Sequence, residues 1–381
     1  MENLGEWRAY RHAEGGLTGN QLRETVPVSK QTLRVLLTGH DGYIGSVMGP
    51  FLAAQGHRIV GLDTGFFENC DLRKDSPGFS VVRKDIRDID RADLEGFDAV
   101  IHLAALCNDP LGQINPDLTM EINHAASVRL ASLARDAGVK RFLYSSSCSM
   151  YGAAGEAVLT EEAELSPLTA YALSKVRSEA DISHLATSAF SPVFLRNATA
   201  YGASARLRAD VVLNNLTCWA FATGRIKIMS DGTPWRPIVH IEDISRAFAA
   251  ALIAPVENIH NQALNIGVNG ENYQVRELAD IVQGEMPDCV VEYAGQGGPD
   301  PRNYRVDFSK AKRLLPDFHP EWNARRGVRE LLDALKASAG SREGFLDGKF
   351  TRLVRLRHLM ESARLNSSLR WQEAGSSAVS A

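Results

Sequence analysis

The sequence has few cysteines, no long apolar run and no excess of positive charge, and each shortage excludes a class of protein. Its five cysteines are scattered without the paired spacing of a zinc site, which favours a reducing cytoplasm over a disulfide framework. No stretch of about 18 uninterrupted apolar residues is present, so we expect no membrane-spanning helix. The first 30 residues lack the apolar core of a secretion signal. A formal net charge of -4 argues against a general affinity for nucleic acid.

A short apolar run followed by three glycines is the most informative stretch. Residues 35–38 are too few for a helix and end at Gly39, and a helical pattern of apolar residues begins after Gly45. This order predicts a strand, a tight turn and a helix start. Gly39 permits the turn, Gly42 lets backbone approach a pyrophosphate, and Gly45 allows the helix to pack closely. The free amides and positive dipole of the helix start would hold the phosphates.

A second apolar strand, 58–62, is followed by Asp63. Its distance from the last glycine is usual for a carboxylate that accepts hydrogen bonds from the ribose hydroxyls of a dinucleotide. Such a carboxylate would repel a phosphate on the ribose, so the sequence favours NAD over NADP. An ordinary turn residue is the alternative interpretation of Asp63.

Further strands and helices alternate along the chain, which has 381 residues and 44% hydrophobic composition. Residues 98–105 form a continuous apolar run, as in a strand buried on both faces of a parallel sheet. A helix is predicted from Pro116 to Gly138, and a further strand at 141–145. The pattern predicts an α/β fold with a doubly wound parallel sheet and a ligand crevice at the strand ends.

Hydroxyl and amine groups follow this last strand. Ser147 lies at the carboxyl end of the strand, and Tyr171 and Lys175 are four residues apart on one predicted helix face. A phenol titrates at about 10, so it is a poor base at neutral pH without help. A nearby ammonium group and an oxidised nicotinamide would both favour the phenolate. A surface pair on the helix is the alternative for Tyr171 and Lys175.

These motifs together resemble the extended short-chain dehydrogenase/reductase family, and specifically its nucleotide-sugar epimerases and dehydratases. The resemblance covers roughly residues 33–336 and rests on ordered motifs: 38–45, 102–105, Ser147, 171–175, and 231–232 through Arg236 to 240–243. It implies a Rossmann sheet, with a smaller, discontinuous C-terminal region that binds a nucleotide-diphosphate sugar. It also implies bound NAD that is reduced and reoxidised within one turnover, and a homodimer.

The resemblance assigns roles residue by residue. The implied catalytic set is Ser147, Tyr171 and Lys175. The implied NAD-binding residues are Gly39, Gly42, Tyr43, Ile44, Gly45, Asp63, Asp85, Ile86, Leu103, Ala104, Ala105, Asn123, Tyr171 and Lys175. The implied substrate-binding residues are Ser149, Thr199, Asn214, Asn215, Arg236, Asp300 and Arg302. For Arg236, a structural salt bridge to Asp243 or Glu242 is the alternative.

The residues after Ser147 bear on the choice of reaction. Sugar 4,6-dehydratases of this family carry an acid and a base there, whereas this chain has Cys148 and Ser149. A 4-epimerase needs neither, so 4-epimerisation is the favoured prediction. If Cys148 is a proton-transferring thiol, a 3,5-epimerase or a dehydratase-like enzyme is the alternative. A buried packing role for Cys148 is equally compatible. A catalytically silent NAD-binding scaffold is the alternative of another class.

The motifs and the family resemblance also predict the domain boundaries. Residues 1–31 form an arm, and 32–198 plus 235–253 form the NAD-binding domain. The substrate-binding region comprises 199–234 plus 254–336, and 337–381 form a helical tail. The tail contains a basic amphipathic pattern, for which docking on the protein's own body or a second subunit is preferred over a membrane surface. The helices at 117–137 and 171–186 are the expected dimer contacts.

Overall fold

The computed structural model describes residues 32–73, 76–107, 115–293, 302–338, 343–346 and 348–372. A seven-stranded parallel sheet lies at its centre, with strand order β11-β7-β5-β4-β1-β2-β3. The strands are β1 Arg34–Thr38, β2 Arg58–Asp63, β3 Ser80–Arg83, β4 Ala99–His102, β5 Arg141–Ser147, β7 Ser191–Asn197 and β11 Ala263–Ile266. Because the order runs outward in both directions from β1, the sheet is doubly wound and confirms the predicted fold class.

Alternating side chains of β1 reach the two faces of this sheet. Val35 and Leu37 pack on one face and Leu36 on the other, as the period of two in a strand requires. Helices α1 Gly45–Ala54 and α6 Ile241–Ile253 cover the first face. Helices α2 Pro116–Met120, α3 Ala126–Asp136 and α4 Ala170–Ser183 cover the second. Burial on both faces explains why the strands are continuous apolar runs.

A π-helical turn interrupts the predicted helix that begins at Pro116. It spans Glu121–Ala125 and joins α2 to α3. Within it, the backbone carbonyl of Asn123 accepts hydrogen bonds from Ser127 Oγ at 2.7 Å and Ser178 Oγ at 2.9 Å. Turns of this kind frequently occur at functional sites, and this one aims the Asn123 side chain at the loop after β4.

Most of the remaining strands and helices form a smaller body around a third apolar core. Apolar residues of the segments 153–159, 256–259 and 303–314 pack instead in the core on the first face of the central sheet. A three-stranded sheet has the order β12-β10-β8, and two parallel pairs join β13 to β9 and β14 to β6. These strands are β6 Ala153–Leu159, β8 Thr199–Tyr201, β9 Arg225–Ile228, β10 Trp235–His240, β12 Asn272–Gln274, β13 Val290–Tyr293 and β14 Asn303–Val306. The accompanying helices are α5 Val212–Thr223, α7 Val256–Ile259, α8 Val275–Glu285, α9 Ser309–Leu314 and α10 Ala324–Ala337.

Two boundaries drawn from the sequence differ from the strand pairing. The predicted boundaries place strand β11 with residues 254–336 in the substrate-binding region, but it pairs with β7 at the edge of the central sheet. They place strand β10 in the NAD-binding domain, but it pairs with β8 and β12 in the small sheet. The sequence could not show either partner, because both pairings join segments far apart in the chain.

The last described segment, residues 343–346 and 348–372, crosses from the small body to the central sheet. Its aromatic residues Phe345 and Phe350 belong to the third core. Helix α11, Arg352–Glu361, follows. Its Leu356 and Leu359 belong to the core on the second face of the central sheet. The basic amphipathic pattern therefore docks on the protein's own body. We call 343–346 and 348–372 the C-terminal strap.

None of the helices in the described ranges combines the length and the apolar character needed to cross a membrane.

Candidate active site

A cavity of about 880 Å³ opens at the carboxyl ends of the central strands and extends to the small body. Its size is in the upper part of the range for small-molecule and cofactor sites. We name three parts of its lining. The glycine wall contains Gly39, Gly42, Gly45, Asp63 and Ile86; the hydroxyl wall contains Ser147, Ser149, Tyr171 and Lys175; the arginine wall contains Asn215, Lys227, Arg236 and Arg302.

The glycine wall is built by close backbone contacts. Gly39 has a φ of +77°, and a Cβ there would lie 2.7 Å from the backbone nitrogen of Ala104. A Cβ on Gly45 would lie 2.2 Å from the carbonyl oxygen of Gly39, so the helix start packs against the turn itself. Gly42, between them, lines the cavity with Tyr43 and Ile44. The helix start can therefore present its amides to an anion.

Asp63 lies beside this turn, as the sequence predicts. Its carboxylate accepts hydrogen bonds from the amides of Asp41 at 3.1 Å and Gly65 at 2.8 Å. Burial raises the pKa of Asp63, while these amides oppose the shift. The side chain also lines the cavity, so its remaining lone pairs are available to ligand hydroxyls.

Asp85 and Ile86 line the cavity near Asp63. Burial alone would raise the pKa of Asp85, but hydrogen bonds from Arg87 outweigh it and hold the pKa below its usual range. The Arg87 guanidinium approaches both Asp85 oxygens, at 3.0 and 2.7 Å. Because the Asp85 carboxylate is hydrogen-bonded to Arg87, the side chain of Ile86 is the more available contact surface for a nucleobase.

The loop after β4 supplies Leu103, Ala104 and Ala105 to the cavity. Asn123 is not part of the lining. Its side chain is buried and exchanges hydrogen bonds with the backbone of Leu106, at 2.7 and 3.0 Å. Asn123 therefore holds the loop in place from behind instead of contacting a ligand.

The structure brings Ser147, Tyr171 and Lys175 into one wall of the cavity. Ser147 Oγ donates to Ser149 Oγ at 2.9 Å, which puts two hydroxyls side by side. Thr169 caps the helix that carries Tyr171 by accepting from the amide of Ala172 at 3.1 Å. Lys175 Nζ lies 5.8 Å from the centre of the Tyr171 ring. The arrangement combines a phenol, an ammonium group and two hydroxyls facing the same space.

Lys175 is nearly fully buried, with 3% of its surface exposed. Its Nζ donates to the carbonyl of Ser145 at 2.7 Å and lies 4.5 Å above the centre of the Tyr144 ring. Burial lowers the pKa of Lys175 to about 8. At pH 7 the side chain therefore still carries its positive charge, close to the phenol of Tyr171.

Cys148 does not reach the cavity, although its neighbours Ser147 and Ser149 do. The residue is fully buried, and its thiol donates to the carbonyl of Arg196 at 3.1 Å. Burial raises the pKa of this thiol, which disfavours the thiolate. This burial disfavours proton transfer by Cys148 and favours its packing role.

The cavity lining contains most of the residues expected to bind substrate. Ser149, Thr199, Asn215, Arg236 and Arg302 all line the cavity. Arg236 Nη1 donates to the carbonyl of Trp235 at 2.7 Å and to that of Arg302. Asp300 lies outside the described residues.

Asp243 and Glu242, the alternative salt-bridge partners of Arg236, are engaged by other groups. The carboxylate of Asp243 accepts from the amides of Glu321 and Trp322, at 2.9 and 3.0 Å. Glu242 pairs with Arg246 at 2.6 Å. Arg236 instead lies in the cavity wall.

Asn214 is the second expected contact that points elsewhere. Its side chain is completely buried. Its amide oxygen accepts from the amide of Gly202 at 3.0 Å, and its nitrogen donates to the hydroxyl of Tyr43 at 2.9 Å. Asn214 thus joins the small body to the glycine turn, whereas its neighbour Asn215 faces the cavity.

Several lining residues were not singled out from the sequence. Asn197 Oδ1 and Ser146 Oγ are buried and have no hydrogen-bond partner within the described part of the chain, so they offer acceptors to a ligand beside Lys175. Arg208 and Arg352 add two cations. The polar residues at the ends of the buried strands β5 and β7 could have indicated Ser146 and Asn197. No sequence signal indicates Arg352.

The charge of the lining is strongly unbalanced. Seven cationic residues face the cavity against three carboxylates, within the described residues. The cations are Lys84, Lys175, Arg208, Lys227, Arg236, Arg302 and Arg352, and the anions are Asp63, Asp85 and Asp210. Such a surplus favours a polyanionic ligand. The glycine turn, the acidic residue after β2 and the buried acceptors together fit a dinucleotide.

A doubly wound sheet with this cavity defines a dinucleotide-dependent enzyme. The profile of the NAD dependent epimerase/dehydratase family matches residues 35–267. The chain belongs to this family, which confirms the class predicted from the sequence.

Particular relatives agree with this assignment. UDP-glucose 4-epimerase of Mycolicibacterium smegmatis is 30% identical over 325 residues, which cover 79% of this chain and 98% of that protein. UDP-glucuronic acid decarboxylase 1 of Arabidopsis thaliana is 27% identical over 324 residues, covering 82% and 72%. The solved structure of MoeE5 in complex with UDP-glucuronic acid and NAD superposes with a TM-score of 0.70 at 26% identity, covering 80% of this chain and 99% of that one.

Proposed function

We propose that this protein is an NAD-dependent 4-epimerase of a nucleotide-diphosphate sugar. The observation that carries the proposal is the convergence of Ser147, Tyr171 and Lys175 on one cavity wall. The related M. smegmatis protein, named as a UDP-glucose 4-epimerase, supports the same reaction. NAD is the cofactor of the family to which the chain belongs.

NAD, when bound, would supply the hydride acceptor and donor chemistry at carbon 4 of the sugar. Tyr171 removes the proton of the 4-hydroxyl as phenolate. The ammonium group of Lys175 favours that phenolate through its charge. Ser147 and Ser149 hydrogen-bond the same sugar oxygen and keep it in place. When the keto sugar has turned in the cavity, carbon 4 presents its opposite face to the nicotinamide site. Tyr171 then returns the proton to the same sugar oxygen.

Elimination and decarboxylation need a further acid or base, and each of the three carboxylates in the described lining already has partners. Asp63 is held at the glycine wall by backbone amides. Asp85 is paired with Arg87 at 2.7 Å, and Asp210 with Arg208 at 2.9 Å. These three carboxylates are thus committed elsewhere, and the hydroxyl wall is left with the groups that a 4-epimerase requires.

The cations of the arginine wall suit the diphosphate of the substrate. In our proposal, Arg236 and Arg302 bind phosphate oxygens, because a guanidinium group can donate two parallel hydrogen bonds to them. Asn215 and Thr199 contact the nucleotide sugar. The same proposal assigns Gly42, Ile44 and Asp63 to NAD.

The domain division is part of the proposal. The central sheet would bind NAD, and the small body would bind the sugar nucleotide. We also propose a homodimer, with α2, α3 and α4 as the contact surface. Light scattering of the purified protein tests this assembly, and a monomeric mass would contradict it.

Incubation with UDP-glucose, and separately with UDP-glucuronic acid, tests the reaction. We expect the 4-epimer of one of these sugars, identified by NMR. Run in D2O, a 4-epimerase leaves carbon 4 without deuterium because the hydride never exchanges with solvent, and leaves carbons 3 and 5 without deuterium because no proton is removed from them. Deuterium at carbon 3 or 5 would indicate a 3,5-epimerase. Loss of water or of CO2 would indicate a lyase. The absence of any sugar product, together with an unchanged NADH absorbance with every sugar, would indicate a scaffold.

A further inference from the structure

The C-terminal strap contributes part of the cavity lining. Thr351, Arg352 and Leu353 face the same cavity as the glycine wall. The profile of the family ends at residue 267, well before the strap. The M. smegmatis relative is matched over 98% of its own length but over 79% of this chain. About a fifth of the chain therefore has no counterpart in that relative.

Arg352 is a buried cation in this lining, with 3% of its surface exposed. Its Cζ lies 3.9 Å from the centre of the Phe67 ring, and Nη2 donates to the carbonyl of Arg206 at 2.8 Å. Nη1 is buried and has no hydrogen-bond partner among the described residues. A buried charged donor without a partner is costly, which indicates that a ligand acceptor completes its contacts.

The residues around Arg352 do not neutralise it. Burial, followed by the positive charge of Arg208, lowers the pKa of Arg352 to about 10. The nearby carboxylate of Asp210 is taken by Arg208, at 2.9 and 3.2 Å. Arg208 also donates to the carbonyl of Cys107 at 3.1 Å. One carboxylate thus serves two guanidinium groups, and the pair retains a surplus positive charge toward the cavity.

The strap is anchored to the loop that follows Asp63. Trp371 Nε1 donates to the carbonyl of Thr64 at 2.7 Å, and Lys349 Nζ to that of Asp71 at 2.9 Å. Arg355 donates to the carbonyls of Phe66 and Glu68, at 3.3 and 3.2 Å. Arg352 therefore lies against the loop that follows the carboxylate assigned to the ribose, rather than in the arginine wall.

We propose that Arg352 binds a diphosphate within the cavity, and that this diphosphate belongs to NAD. The strap thereby retains the cofactor by closing over the loop after Asp63. This inference rests on the NAD binding of the proposed function and not on the choice of epimerisation. The diphosphate of the nucleotide sugar offers the same chemistry, so the experiment measures both ligands.

The test compares Arg352→Met with Arg357→Met in the full-length protein. Methionine keeps apolar contact with Phe67 but removes the charge and the donors. Arg357 is exposed on the same helix and serves as the matched control. We measure the NAD content after purification and the dissociation constants of NAD and ADP-ribose by calorimetry. Thermal unfolding of both variants reports on folding.

We expect Arg352→Met to weaken NAD and ADP-ribose by about tenfold or more, since each charged hydrogen bond to phosphate is lost. The KM for the nucleotide sugar at saturating NAD should stay unchanged, and Arg357→Met should behave as wild type. Arg352→Lys should recover part of the affinity.

Unchanged affinity for NAD and ADP-ribose in a folded Arg352→Met variant would overturn the proposal. If only the KM for the nucleotide sugar rose, the diphosphate would be that of the substrate and the role in NAD retention would be wrong. Because NAD and ADP-ribose binding is measured without turnover, failure of the 4-epimerase assignment would leave this result interpretable.

Discussion

The glycine wall and the arginine wall of the cavity are built in different ways. The glycine wall depends on backbone, since Gly39 and Gly45 leave no room for a Cβ and come from one continuous stretch. The arginine wall depends on long side chains carried by separate strands and helices of the small body. A wall of tightly packed backbone has one geometry, whereas a wall of long side chains can be altered one residue at a time. The hydroxyl wall is also made of side chains, but they come from only two regions, the end of β5 and helix α4.

The largest expected effect is on the hydroxyl wall. Tyr171→Phe removes the proposed base while leaving the ring in place, so turnover should fall by about a hundredfold to ten-thousandfold. Thermal unfolding and NAD content should stay near the wild-type level, because the ring of Tyr171 keeps its packing and the glycine wall is untouched. The kcat for the epimerised sugar is the measurement. A variant with wild-type kcat would remove Tyr171 from the mechanism.

The next effect is on the glycine wall. Gly45→Ala would put its Cβ 2.2 Å from the Gly39 carbonyl, so the turn must shift. We expect loss of most copurified NAD and a lower unfolding free energy, by about 1–3 kcal/mol. Gly270→Ala is the matched control, because no atom lies within 4 Å of the Cβ position there. Equal NAD content in the two variants would show that the turn tolerates a side chain.

The same contrast explains what could be predicted from the sequence. The glycine turn, Asp63 and the Tyr171–Lys175 pair follow from local spacing, and all of them line one cavity. Asn214 and Asn215 are adjacent, yet only one faces the cavity, because successive helical residues point in different directions. Arg352 reaches Arg206 across 146 positions of the chain. Local patterns carry no information about such long-range contacts.

A smaller effect is expected from the arginine wall. Arg236→Met should raise the KM for the nucleotide sugar by about tenfold, because a charged hydrogen bond to phosphate is lost. Its NAD affinity should be unchanged. Arg305→Met provides the control: Arg305 stacks 4.9 Å from the Trp235 ring but does not line the cavity. If both variants raised the KM equally, the effect would be one of general charge and not of the Arg236 contact.

The smallest effect on activity is expected from Cys148→Ala, which tests whether the hydroxyl wall is complete without the thiol. Cys148 is fully buried and its thiol donates to the Arg196 carbonyl, so the substitution should cost about 1–2 kcal/mol of unfolding free energy through a small cavity. Below the unfolding temperature, kcat should stay within about threefold of wild type, since a buried group makes no contact with substrate. Denaturant unfolding and kcat, measured on the same preparation, separate the two effects. A severely reduced kcat in a folded Cys148→Ala variant would show that the thiol acts as an acid or base. It would also mean that the substrate can reach Cys148 through an opening of the cavity wall.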